Sequence, residues 1–159
     1  MRVVAARGDR AFREFIAELF AAAAGMQSLR RAIARTAGLG STELTILLAI
    51  WRLPRPGHIG IKGLAEHLHV ASPHVTDEVT RLVQIGLLDK AVNPRDLRAV
   101  SLTLSKRGRA ALESLASRLE QINKLLFAGI SARDMRIVRR FLQRLIEQSG
   151  PSIKEAVRR

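Results

Sequence analysis

The sequence predicts a mainly α-helical protein with one small β-hairpin. Apolar residues recur at helical spacing near both ends of the chain, beginning with Phe12, Phe15, Ile16 and Leu19. Two strand-like runs, 87–92 and 99–104, flank a connection with turn chemistry. With 159 residues, the chain is long enough to bury one core without disulfides.

Local signals set the first predicted helices. Apolar spacing predicts a helix over 10–33, which Gly38 and Gly40 end. Ser41 is expected to cap the second helix, with Glu43 in its first turn, where a negative charge meets the helix dipole. A minimal strand is expected over 58–61.

The centre of the chain predicts two short helices joined by a tight turn. The first covers 62–68, the turn covers 69–71, and the second opens near Ser72 and closes at Gly86. Two apolar-faced helices with a three-residue turn form a helix-turn-helix.

Two long helices complete the prediction. Ser105 caps the first, Ser131 and Asp134 resemble a capping box before the second, and Gly150-Pro151 is a stop signal. The expected organisation is an N-terminal dimerisation helix (1–40), a winged helix-turn-helix (41–105), C-terminal dimerisation helices (106–150) and a basic tail (151–159).

Composition favours a polyanionic partner. The formal charge is +13, from 27 Lys+Arg against 14 Asp+Glu, and each neutralised phosphate releases condensed counterions. A high-GC genome would also enrich arginine, so charge alone does not decide the function.

The absence of cysteine excludes disulfides, thiol redox sensing and Cys-based zinc sites. No apolar run approaches the length of a membrane span and no signal peptide is recognised, so a cytoplasmic location without membrane contact is expected.

The second helix of the helix-turn-helix presents a polar stripe that could read double-stranded DNA. Its candidate contacts are Ser72, Pro73, His74, Thr76, Asp77, Thr80, Arg81 and Gln84. Asp77 would be repelled by phosphates unless it accepts a hydrogen bond from cytosine N4 or orients Arg81. The alternative is an ordinary solvated helix face.

The hairpin supplies a second candidate contact. Arg95 lies where the hairpin protrudes, and Asp96 is expected to fix the turn and hold Arg98. An arginine presented there suits the negative minor groove of A·T-rich DNA. Lys90, on the preceding strand, is a further candidate. The alternative is a surface hairpin whose salt bridge contributes little.

The segment 41–109 resembles the MarR family of winged-helix transcription regulators. The matching stretches are Ser41–Leu44, Ile61–Leu68, Val75-Thr76, Arg81–Val83, Gly86–Leu88, Arg95–Arg98 and Leu102–Ser105 with Gly108. Asp77 and Asn93 depart from the residues usual in the family.

The resemblance implies a homodimer on a pseudo-palindromic operator. The dimer would use the first and the last two helices, with candidate contacts Phe12, Phe15, Ile16, Leu19, Ile137, Phe141 and Leu145. It also implies a repressor that a small, often aromatic, ligand releases from DNA. The candidate pocket residues are Met26, Arg30, Trp51 and His58.

Other classes find less support. No nucleophile–base–orienter set or phosphate-binding glycine loop is recognised, so no enzyme and no cofactor is expected. His67-x-His69 has too few companions for a metal site. A non-specific architectural or RNA-binding protein stays open, because the charge would serve it equally well, although aromatic residues make up only 4% of the chain.

Overall fold

The computed structural model describes residues 10–53, 59–70, 72–93 and 96–156. The elements of this described part are α1 (Arg10–Thr36), α2 (Ser41–Trp51), α3 (Ile61–Leu68), α4 (Ser72–Gln84), β1 (Leu88–Asn93), β2 (Asp96–Leu104), α5 (Lys106–Leu126) and α6 (Ala132–Ala156). The predicted class, mainly α with a small β wing, is confirmed. The chain divides into two compact units, residues 1–116 and 117–159, which we describe separately.

Glycines mark the junction of α1 and α2. Gly38 follows α1 in the left-handed region (φ +67), where glycine avoids the Cβ penalty. The prediction that Ser41 caps α2 is wrong, because Ser41 is already helical and the extended residue before the helix is Gly40. Gly40 has no side chain with which to cap, and instead its N–H donates to Glu43 Oε2 at 2.6 Å. Glu43 therefore supplies the return half of a capping box.

The helix-turn-helix is confirmed, with α3 starting one residue earlier than predicted. His69 ends α3 in the left-handed region at φ 54, and Gly86 (φ +71) follows α4. Residue 71 lies outside the described part of the chain. The inner faces of the two helices are buried at Leu64, Ala65, Val75, Val79 and Leu82.

β1 and β2 form an antiparallel hairpin that is tighter than predicted. β2 begins at Asp96 and not near residue 99, because Asn93 already pairs with Asp96. Asp96 and Arg98 therefore belong to a strand and not to the turn, and only residues 94 and 95, outside the described part, separate the strands. The minimal strand expected at 58–61 is reduced to one bond from the Leu102 N–H to the Ile59 carbonyl (3.0 Å).

Ser105 joins the hairpin to α5, as predicted. Its Oγ accepts from the Gly108 N–H at 2.9 Å and donates to the Gly86 carbonyl at 2.7 Å. One hydroxyl thus caps α5 and ties its start to the end of α4.

The core lies in the unit formed by residues 1–116. Its largest fully buried apolar side chains come from α2, α3, α4, both strands and α5, and include Leu44, Ile46, Leu47, Leu64, Leu82, Leu88, Leu102 and Leu112. This packing fixes α4 with one face inward and the other toward solvent.

The unit formed by residues 117–159 contains the end of α5 and all of α6. The predicted capping box is present, since Ser131 Oγ accepts from the Asp134 N–H (3.2 Å) and Asp134 Oδ2 accepts from the Ser131 N–H (3.3 Å). The stop predicted at Gly150-Pro151 is wrong, because α6 continues to Ala156. A proline removes one backbone donor, and the remaining bonds continue the helix here. The first residues of the predicted tail are therefore helical.

No single helix in the described ranges is both long and apolar enough to cross a membrane. Only α1 and α2 counted together, across a bend of 88°, reach the necessary length and composition.

Candidate nucleic-acid interface

The predicted polar stripe of α4 is exposed along its whole length. All eight predicted contacts, from Ser72 to Gln84, face solvent. Val75, Val79 and Leu82, on the opposite face, are buried. Because the core holds that apolar face, the helix presents a fixed polar surface of about four turns.

The hydroxyl groups of two threonines on this surface donate to backbone carbonyls of the same helix. Thr76 Oγ1 donates to the Ser72 carbonyl at 3.0 Å, and Thr80 Oγ1 donates to the Thr76 carbonyl at 2.8 Å. Each hydroxyl oxygen keeps lone pairs that can accept from the amino group of adenine or cytosine. The threonine methyl groups can contact thymine methyls. The surface therefore offers acceptors and apolar contacts near its centre.

Arg81 pairs with a buried acid on another helix. Its Nε lies 2.8 Å from Glu43 Oε1, and the side chains of Arg81 and Glu43 are 66% and 1% exposed. Oε1 accepts no hydrogen bond from the described residues, so the contact is an ion pair without an aligned N–H. Of the two roles considered for Asp77, orienting Arg81 finds no support among the described ion pairs, in which Arg81 pairs with Glu43.

The sequence prediction missed Glu43 as the buried partner of Arg81. Its position in the first turn of α2 indicated an interaction with the helix dipole and nothing more. The available signal was the predicted apolar character of α2, because an acid buried in such a helix needs a charged partner.

The structure describes only part of the predicted wing contacts. Lys90 is exposed on β1, opposite Leu102. Asp96 and Arg98 occupy positions in β2, but their side chains lie outside the described part, as does Arg95.

The predicted ligand pocket stays a prediction. Arg30 is exposed and its Nη1 donates to Thr45 Oγ1 at 3.3 Å. Met26 is exposed and Trp51 is half-buried. His58 lies outside the described residues. Among the described residues no three His, Asp or Glu side chains form a group able to hold a metal ion.

Both long terminal helices expose apolar side chains. On α1, Phe12 and Phe15 are exposed, whereas Ile16 and Leu19 are half-buried. The larger exposed set on α6 is Met135, Ile137, Val138, Phe141, Leu142, Leu145 and Ile146. In the unit formed by residues 117–159, part of this face and Phe127 line a cavity of about 550 Å³. Apolar patches of this extent mark interaction surfaces.

One protein family matches the winged-helix part of the chain. Residues 39–100 match the model described as the MarR family. This confirms the predicted resemblance for the segment that carries α2, α3, α4, β1 and most of β2. None of the curated proteins matches the chain.

Solved structures share the fold over most of the chain. The transcription regulator MarR from Oenococcus oeni PSU-1 is 20% identical with a TM-score of 0.73, covering 84% of this chain and 98% of that one. The MepR chain of the S. aureus MepR–DNA complex is 15% identical with a TM-score of 0.67. The match covers 89% of this chain and 96% of the MepR chain. A probable transcriptional regulator from Pseudomonas aeruginosa is 25% identical with a TM-score of 0.61, covering 82% and 96%. These proteins are named as regulators or as a DNA complex.

Proposed function

We propose that this chain, whose residues 39–100 form a winged-helix domain of the MarR type, is a homodimeric repressor that binds a pseudo-palindromic operator. The observation that carries the proposal is the exposed polar face of α4, held by the core beside a two-stranded wing. The likeness in fold to MepR, solved in complex with DNA, supports it.

In the proposed complex, α4 enters the major groove. Thr76 and Thr80 present acceptors to base amino groups, and Arg81 and His74 contact bases or phosphates. Arg95, at the wing tip, enters the neighbouring minor groove. Two copies place their recognition helices about 34 Å apart, one turn of DNA.

The apolar faces of α1 and α6 support the dimer. A soluble monomer rarely exposes so many large apolar side chains on one helix face, and a second copy of the chain would bury them. The predicted contacts Ile137, Phe141 and Leu145 belong to this face of α6.

We expect Arg95→Ala and Arg81→Ala each to weaken operator binding about tenfold, because a good arginine contact contributes roughly 1–3 kcal/mol. Titration of a duplex selected by the unaltered protein from a randomised pool measures the change in Kd. Arg118→Ala is the matched control, because it removes the same charge from an exposed position of α5. This variant should bind normally. Unchanged binding by both wing and helix variants would contradict the proposed contacts.

The same titration separates a specific regulator from an architectural nucleic-acid-binding protein. At one fixed salt concentration, we expect the selected duplex to bind at least a thousandfold more tightly than random-sequence DNA or RNA. Equal affinity for all three would favour the architectural alternative, which the charge of +13 by itself permits.

We further propose that a small, often aromatic, acid releases the protein from DNA. Such a ligand would favour one spacing of the two recognition helices and shift the population away from the DNA-binding form. A panel of aromatic acids and their thioesters is expected to contain a compound that raises Tm and lowers operator affinity at least tenfold. If none changes either quantity, the protein binds DNA without this ligand response.

A further inference from the structure

We infer that Glu43 is a positioning residue for DNA binding, acting through Arg81. The inference rests on the proposed function and deepens it, since it assigns a role to a buried side chain outside the recognition helix. Glu43 lies in the first turn of α2, whereas Arg81 lies in the last turn of α4 on the exposed polar face.

The two carboxylate oxygens of Glu43 have different partners. Oε2 accepts from the Gly40 N–H at 2.6 Å, which fixes the carboxylate at the start of α2. Oε1 lies 2.8 Å from Arg81 Nε. The carboxylate therefore connects the α1–α2 junction with the recognition helix.

Burial distinguishes this ion pair from an exposed one. An exposed ion pair is screened and leaves long side chains mobile. Here the acid is 1% exposed, so its charge would lose nearly all contact with water and needs a positive partner. Arg81, at 66% exposure, supplies that partner while most of its side chain stays at the surface. The buried acid thus anchors an otherwise mobile arginine.

The anchored arginine keeps its recognition chemistry. The ion pair with Glu43 is made at Nε, and the two Nη atoms carry four further N–H donors in a planar fork. Such a fork fits a phosphate, or guanine O6 and N7. Because the pair carries no net charge, its contribution is mainly the direction of these donors and less the release of counterions.

Glu43→Gln tests the inference. Glutamine can still accept from the Gly40 N–H and so preserves the cap, but it removes the charge that holds Arg81. We expect the ratio of affinities for the selected duplex and random-sequence DNA to fall about tenfold. Affinity for random DNA should stay level or rise, because the protein gains one positive charge per chain. Glu113→Gln, the same change on exposed α5, is the control and should leave the ratio within twofold.

A second comparison isolates the route through Arg81. In an Arg81→Ala background, adding Glu43→Gln should change the ratio less than twofold, since the side chain to be positioned is gone. A full tenfold loss in that background would overturn the inference. So would a loss below threefold for Glu43→Gln alone.

Stability is measured in parallel. If Glu43→Gln lowers Tm strongly, the affinity ratio of the Arg81→Lys variant tests the inference instead. Lysine keeps a positive charge beside Glu43 but lacks the planar fork of donors. We expect a tenfold loss of the ratio for Arg81→Lys, and an unchanged ratio overturns the inference. If the unaltered protein prefers no duplex, the proposed function itself fails; if it shows the preference and the Glu43 and Arg81 variants retain it, only this inference fails.

Discussion

Gly108→Ala is expected to lower the free energy of unfolding by about 3 kcal/mol, the upper range for overpacking a close contact. Gly108 is buried in the first turn of α5, and a Cβ at that position would clash with the Leu87 carbonyl oxygen. That oxygen belongs to the backbone and also accepts from the Ser105 N–H at 3.2 Å, so it has little freedom to move. The overlap between the added Cβ and this oxygen can be removed only if α5 moves away from the start of the hairpin.

Gly25→Ala is the matched control for this change. Gly25 also lies inside a helix, α1, but its Cβ would meet nothing within 4 Å. Alanine should there stabilise the helix by roughly 0.5–1 kcal/mol. Denaturant unfolding of the two variants measures both changes. If Gly108→Ala were as stable as the unaltered protein, the close approach of α5 to Leu87 would be contradicted.

Leu145→Glu is expected to convert the dimer into monomers and to weaken operator binding at least about 100-fold, because two linked half-site contacts become separate ones. Leu145 is 41% exposed on the apolar face of α6, one turn after Phe141. In the proposed dimer a charge there would be buried without a partner, which is strongly unfavourable.

Light scattering tests this directly, since the unaltered protein should have twice the 17.6 kDa mass of the chain. Arg140→Glu introduces the same side chain on α6 beside Arg136 and Arg139, outside the residues that line the apolar cavity, and should remain dimeric. A monomeric unaltered protein would remove the basis of the prediction. A dimeric Leu145→Glu would mean that this face of α6 is not the interface.

Much of the fold could be predicted because its signals are local. The turn at Gly86, the cap at Ser105 and the capping box at Ser131 depend on residues no more than a few positions apart, and all three are present. The boundaries that were wrong depend on weaker preferences. Ser41 is a good cap in isolation, but Glu43 reaches Gly40 and the helix starts at Ser41, one residue earlier than that cap requires.

The candidate site divides in the same way. The sequence by itself determined which side chains lie on the exposed face of α4, because helical periodicity assigns Val75 and Val79 to the core and Thr76 and Thr80 to solvent. Only the tertiary structure decided that Arg81 belongs with Glu43, since 38 positions of chain separate them and two helices must pack before their charges meet. Periodicity is a property of one helix, whereas a partner across the core is a property of the packing.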